Sequence, residues 1–273
     1  GPNSGDSEPV RRMLDDNAVA QHLREFGYRF VYVSCGSGQT HIETADLVLQ
    51  DAESKVSSFE EQAIGLTALD SAAQSRDNQF DRHCGRLNSV FSNLKVAAAL
   101  PYRKFVFAHV LAPHPPFVFG PTGEAVNPKD HYHFGDGNWL LKDITREEYI
   151  KGYIDHLVYF NRRTLEAIDA IERQSRRPPI IIVQGDHGAR MTLNWESLAK
   201  TDLREPFSIL NAYHVPDSVR KELYEGISPV NSFRIVLTKL FDAKLVPIRD
   251  RSFYSPAGRS LDLTEVAKAI PSL

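Results

Sequence analysis

The stretch IIIVQGDHGAR, residues 180–190, runs from an apolar segment into a glycine, a carboxylate, an imidazole and a second glycine. An apolar run this short, closed by a glycine, reads as a strand covered on both faces. Asp186 and His187 then fall at its carboxyl end. In a parallel α/β sheet that is where loops and helix N-termini converge and where ligands bind. Gly185 and Gly188 are expected to let the backbone turn sharply, so that both side chains face one cavity. An Asp carboxylate and a neutral imidazole form a borderline-hard ligand pair suited to zinc, manganese or, less well, magnesium. Two ligands do not complete a site, and the blander alternative is a turn in which both merely satisfy backbone donors.

Helices and strands alternate on either side of this stretch. Upstream, DDNAVAQHLREFGYRFVYVS reads as a helix with Val19, Leu23 and Phe26 on one face, stopped at Gly27, then a strand from Tyr28 to Ser34. Ser57/Glu60 and Ser58/Glu61 form capping boxes that announce a second helix, and RLNSVFSNLKVAAAL a third that ends at Pro101. Lys104 to Leu111 is a near-continuous apolar strand, broken by a turn in which Pro113, Pro115 and Pro116 bracket His114. Thr145 and Glu148 cap a long helix with apolar residues at Ile150, Tyr153, Ile154, Leu157, Val158, Leu165, Ile168 and Ile171, the stripe of a helix lying on a sheet. FSILNAY, from Phe207, reads as another apolar strand, and SPVNSFRIVLTKLF as a covering helix with Pro229 in its first turn. The expected fold class is therefore α/β, a mostly parallel sheet covered by helices on both faces.

Composition narrows the function classes. A chain of 273 residues, 42% hydrophobic and 25% charged, can build a large core without disulfide staples. A net charge of -3, with basic residues scattered except for Arg173, Arg176 and Arg177, gives no electrostatic reason to approach nucleic acid. No apolar run reaches the ~18–20 residues of a membrane span, so the chain as given is expected to be soluble. Its first residues, GPNSG, look like a cleavage scar plus linker, which assigns residues 1–8 to a tag and 9–273 to one domain. Cys35 and Cys84 alone make neither a disulfide framework nor a cysteine metal cluster.

Further candidates lie at other loop positions. His114 follows the apolar strand from Lys104, and His109 sits just inside that strand, where a hydrogen-bonded core histidine is the plainer reading. His131, His133 and Asp136 form an H-x-H-x-x-D arrangement that suits either a metal or a polar lid. Arg190 is placed to clamp an anionic ester oxygen or to face solvent. In YVSCGSGQTHIET, the segment CGSG fits neither the Cys/Ser-x-Pro-x-Arg signature of sulfatases nor a G-x-S-x-G elbow, and reads as a turn. A hydrolase triad through the sequence-adjacent Asp186 and His187 is disfavoured by orientation.

Taken with YIKGYIDHLVYFNRRTLEAIDAIE and FVFAHVLAPHPPFVF upstream, and EPFSILNAYHVP and ISPVNSFRIVLTKLF downstream, IIIVQGDHGAR resembles the sulfatase-like branch of the alkaline phosphatase superfamily. The nearest group is the bacterial membrane-anchored sulfatase-like proteins that include lipoteichoic acid synthase and phosphoethanolamine transferases. The resemblance covers about Pro9 to Tyr254. It implies that Asp186 and His187 are ligands of a divalent metal (Mn, Zn or Mg), and that His114 contacts the phosphate or sulfate near the nucleophile. The implied activity is hydrolysis or transfer of a small-molecule, lipid-linked or glycan-linked phosphate or sulfate ester. The implied location is the extracytoplasmic part of a bacterial membrane protein, reaching the membrane only through an N-terminal anchor outside this sequence.

The family's first strand, with its acidic metal ligand and the nucleophile that follows, finds no counterpart here. Three expectations follow: an enzyme domain lacking that segment, a binding or scaffolding domain that kept the fold without the chemistry, or a hydrolase with a different nucleophile. A missing strand would expose a sheet edge, expected to be filled by another strand or covered in a homo-oligomer.

Overall fold

The structure, a computed structural model, describes residues 8–36, 40–50, 76–128, 134–259 and 261–266. They fall into two compact units. The first comprises residues 8–136 and 143–176; the second, among the described residues, comprises 137–142 and the chain from Arg177 onward.

The first unit contains α1 (Glu8–Asp15), α2 (Ala18–Glu25), β1 (Arg29–Val33), β2 (Leu47–Leu49), α3 (Arg76–Ala99), β3 (Lys104–Ala108) and α4 (Arg146–Gln174). Asn17 caps α2 by accepting from the Ala20 amide at 3.0 Å, a contribution of about 1 kcal/mol. The three strands form one parallel sheet in the order β2-β1-β3, with Val31 opposite both Leu47 and Val106. Side chains of β1 alternate between the faces. Phe30 and Tyr32 stack on Phe105 and Phe107 and pack with Ala20 of α2 and Ile42, while Val31 and Val33 pack with Val90 and Ala97 of α3. Both faces are covered, which is why β1 has no polar face. Burying each valine contributes about 2 kcal/mol.

The Thr145–Glu148 capping box is present and starts α4. Its buried face differs from the expected stripe. Tyr149, His156, Tyr159, Phe160, Ala167 and Ala170 face inward, whereas Ile150, Ile154, Leu157, Val158 and Leu165 are exposed. The aromatic rings decide this rotation: Phe160 stacks on Phe91 of α3 at 5.9 Å and meets Phe119 edge-on, so α4 packs on α3 instead of lying on the sheet.

The second unit contains β4 (Ile181–Gln184), α5 (Arg204–Phe207), β5 (Asn211–His214), α6 (Asp217–Arg220), α7 (Pro229–Leu240), β6 (Phe253–Tyr254) and β7 (Thr264–Glu265). Ser228 caps α7, with Pro229 in its first turn as expected. Its buried Asn231 donates to Ile248 O and Asp250, fastening the following segment to the helix. Leu193, Tyr254 and Val266 form a small core with Trp195, Leu198, Leu203 and Phe207.

Among the described residues the chain is mixed α/β, and the expected mostly parallel sheet is parallel only in β2-β1-β3. β4 pairs antiparallel with β5, Gln184 opposite Asn211. The expected strand from Phe207 begins instead at Asn211, because Arg204–Phe207 forms a helical turn whose carbonyl at Arg204 accepts from the Ser208 hydroxyl. The three-residue strand β2 had no sequence signal strong enough to mark it. The expected helix around Ser57–Glu61 lies outside the described residues. Among the described residues no helix is long and apolar enough to cross a membrane.

Candidate functional site

β4 ends at Gln184, and the chain leaves it through Gly185. Gly185 N–H donates to Leu210 O and Gly188 N–H to Pro206 O, so the loop is tied to the segment leading into β5 at two points. Neither glycine has a positive φ, which corrects the expected reason for their presence. Gly188 is needed for close approach: a Cβ there would collide with the carbonyl oxygens of Glu205 and Ser208.

Between these anchors the Asp186 side chain is 80% exposed and that of His187 is 24% exposed. Asp186 Oδ1 accepts from the His187 amide at 3.0 Å. His187 Nδ1 lies 2.7 Å from Gly188 O, and since a carbonyl only accepts, Nδ1 carries the proton. The lone pair of a neutral ring is then on Nε2, which faces Asp186 Oδ2 at 3.5 Å. Two acceptors facing each other repel unless a proton or a cation lies between them. A ligating histidine commonly has its other ring nitrogen held by a backbone carbonyl in this way.

Arg190 stays on the same loop with its guanidinium 5.2 Å above the Trp195 ring. Trp195 in turn stacks on Trp139 at 5.3 Å, and Glu196 accepts from Trp139 Nε1 and Asn138, which holds its carboxyl below the usual range. Residues 137–142 are thereby fastened to 190–196 by the chain's two tryptophans.

His109, His114 and Asp136 belong to the first unit. His114 Nδ1 donates to Pro115 O at 2.5 Å inside the proline turn, where the Ala112–Pro113 and Pro115–Pro116 bonds are cis. Asp136 is buried and accepts from the Tyr149 hydroxyl at 2.6 Å, an anchor for the start of α4. His131 and His133 lie outside the described residues. His109 emerges one residue past β3 and binds two groups with Nδ1: Thr40 Oγ1 at 2.9 Å and Cys35 Sγ at 3.3 Å.

That last cluster escaped the sequence reading, which took CGSG for a plain turn. The recoverable signal was register: adjacent parallel strands ending at Val33 and Ala108 bring the residues just beyond them to one rim. Two buried histidines were also missed. His156 on α4 accepts with Nε2 from the Val118 and Phe119 amides at 2.7 and 3.0 Å, and burial lowers its pKa to about 4. His83 on α3 is lowered to about 3, by burial first and then by Arg86, His156 and His114.

Among the described residues no group of three or more His, Cys, Asp or Glu side chains could hold a metal ion. Asp186 and His187 fit a divalent cation as two of its ligands by donor type and tautomer. No family model matches this chain, and no curated protein or solved structure matches it.

Proposed function

We propose that this chain is a sulfatase-like domain of the alkaline phosphatase superfamily, acting as a metal-dependent hydrolase or transferase on a phosphate or sulfate ester. The observation that carries the reading is the convergence of His187 Nε2 and Asp186 Oδ2 at 3.5 Å, with Nδ1 held by Gly188 O. Two ligands on one tetrahedral ion with bonds of ~2.0–2.1 Å stand about 3.4 Å apart. The loop therefore holds its two donors at a ligand's spacing, with the metal-binding tautomer set by the backbone.

In this reading Asp186 and His187 hold Mn, Zn or Mg, and Arg190 on the same loop belongs to the recognition of the anionic ester on a small-molecule, lipid or glycan carrier. A bound divalent ion supplies charge stabilisation for the reacting ester and lowers the pKa of the attacking group. The chain's own part is to fix the imidazole tautomer through Gly188 O and to keep the carboxylate beside it through the His187 amide.

Metal content and thermal shift with Mn, Zn and Mg test this on the parent and on an Asp186→Ala/His187→Ala variant. Near-stoichiometric binding is expected, with about 2.7 kcal/mol of stabilisation at a hundredfold excess over Kd, lost in the variant. Equal melting of parent and variant with every metal would overturn it and leave a binding domain without metal chemistry.

A further inference from the structure

β1 and β3 run parallel with Val33 opposite Ala108, so the segments leaving them emerge at one rim of the sheet. Such a rim is where catalytic groups of α/β proteins collect. Here it brings together a thiol, an imidazole and hydroxyls. Cys35 Sγ lies 3.3 Å from His109 Nδ1, a normal separation for a sulfur hydrogen bond, and Thr40 Oγ1 lies 2.9 Å from the same nitrogen.

Two further features mark the cluster as more than packing. Tyr32, wholly buried at the end of β1, has a hydroxyl that makes no hydrogen bond of normal geometry, although Ser34, Cys35 and Thr40 surround it. A buried hydroxyl without a partner of normal geometry is uncommon. Gly36, with φ +76°, is crossed by the buried Arg86 of α3: a Cβ there would lie 2.6 Å from Arg86 Cδ. The residue after Cys35 must therefore be glycine for the Arg86 side chain to pass. A thiol beside a basic imidazole gains thiolate character.

We propose that Cys35 is the nucleophile of this domain, with His109 as its base and the Tyr32 hydroxyl as a donor to the oxyanion of a tetrahedral phosphate or sulfate ester. The proposal rests on the ester chemistry inferred above, and every group it uses lies in the first unit. The thiol proton passes to His109 Nδ1 as Sγ attacks phosphorus or sulfur. The new S–P or S–S bond forms as the ester's bond to its leaving oxygen breaks, and His109 returns the proton to that oxygen. Water, deprotonated by His109, then cleaves the adduct, releases inorganic phosphate or sulfate, and restores the thiol.

Alkylation by iodoacetamide, read by peptide mass at Cys35 and Cys84 across pH 5–10 with a chelator present, tests the activated thiol. Cys84 is the internal reference, because burial and Asp81 push its pKa up to about 11. At pH 7 Cys35 is expected to react at least about tenfold faster than Cys84, and His109→Asn to remove most of that advantage. Thr40→Val serves as the milder variant, expected to shift the Cys35 pH profile with the fold intact.

Acid quenching after exposure to p-nitrophenyl phosphate or p-nitrophenyl sulfate is expected to leave a phosphoryl or sulfo group on the Cys35 peptide. The reacting ester tells which group the site takes, and Cys35→Ala abolishes the adduct. A Cys35 no faster than Cys84, a profile indifferent to both variants, or no adduct from either ester would overturn the proposal. Because the alkylation arm uses no metal, a failed metal reading leaves its result unchanged, and the two failures stay distinguishable.

Discussion

His156, inside α4, and His187, in the loop after β4, carry their proton on the same ring nitrogen and use the other one oppositely. His156 spends its Nε2 lone pair on two backbone amides and is wholly buried. His187 fixes Nδ1 on a carbonyl and turns Nε2 toward a carboxylate at the surface. The first is held neutral by its surroundings and holds the fold in return, fastening the proline turn after β3 to α4. The second keeps Nε2 beside a carboxylate, the arrangement proposed above for a cation. Histidine type and position in the sequence do not separate these roles; the partners of each ring nitrogen do.

Acid should break the first region. His156 and His83 have folded pKa values of about 4 and about 3, against 6.5 for an ordinary histidine. The unfolded chain therefore binds protons that the folded chain refuses. The stability these groups contribute is present above pH 6.5 and is lost as pH falls toward 4, at roughly 1.4 kcal/mol per pH unit for each group. Urea midpoints taken at pH 7, 6, 5 and 4 should fall with a slope of about two protons. A flat profile over that range would mean that neither histidine is held neutral.

His156→Leu sharpens the same point at a smaller cost. The substitution keeps the volume but leaves the Val118 and Phe119 amides without their acceptor, for a loss of roughly 2–4 kcal/mol at pH 7. The variant should also lose about one of the two protons from the acid slope, which a purely steric defect would not do. Urea unfolding at two pH values reads both effects.

How far the sequence reaches can be judged residue by residue. β1, β3, α2, α4 and α7 were legible because their signals are local: Asn17, Thr145 with Glu148, and Ser228 before Pro229 each mark a helix start by side-chain chemistry alone. The pairing of β4 with β5 was not legible, since an apolar strand of four residues carries no mark of parallel or antiparallel neighbours. The rotation of α4 was missed because aliphatic residues at helical spacing looked like the core, while the aromatic rings and His156 that occupy it have partners set by tertiary packing. The strand-end rule placed Asp186 and His187 in the loop after an apolar strand, and that position is what the structure shows. The Cys35–His109 contact, 74 residues apart in sequence, required the register of β1 against β3.

Gly188→Ala tests the other half of the comparison, with the smallest expected change in stability. The added methyl meets the Glu205 and Ser208 carbonyl oxygens, which are backbone and cannot swing aside, so the loop must move. Overpacking of this kind costs about 1–3 kcal/mol. Function should suffer more than stability. Gly188 O is the acceptor that fixes the His187 tautomer, and its displacement leaves Nδ1 and Nε2 to exchange the proton. The metal-dependent thermal shift should therefore fall by a larger fraction than the melting temperature does. An intact metal response at a lowered melting temperature would show that the carbonyl is not what sets the imidazole, and the contrast with His156 would then rest on burial alone.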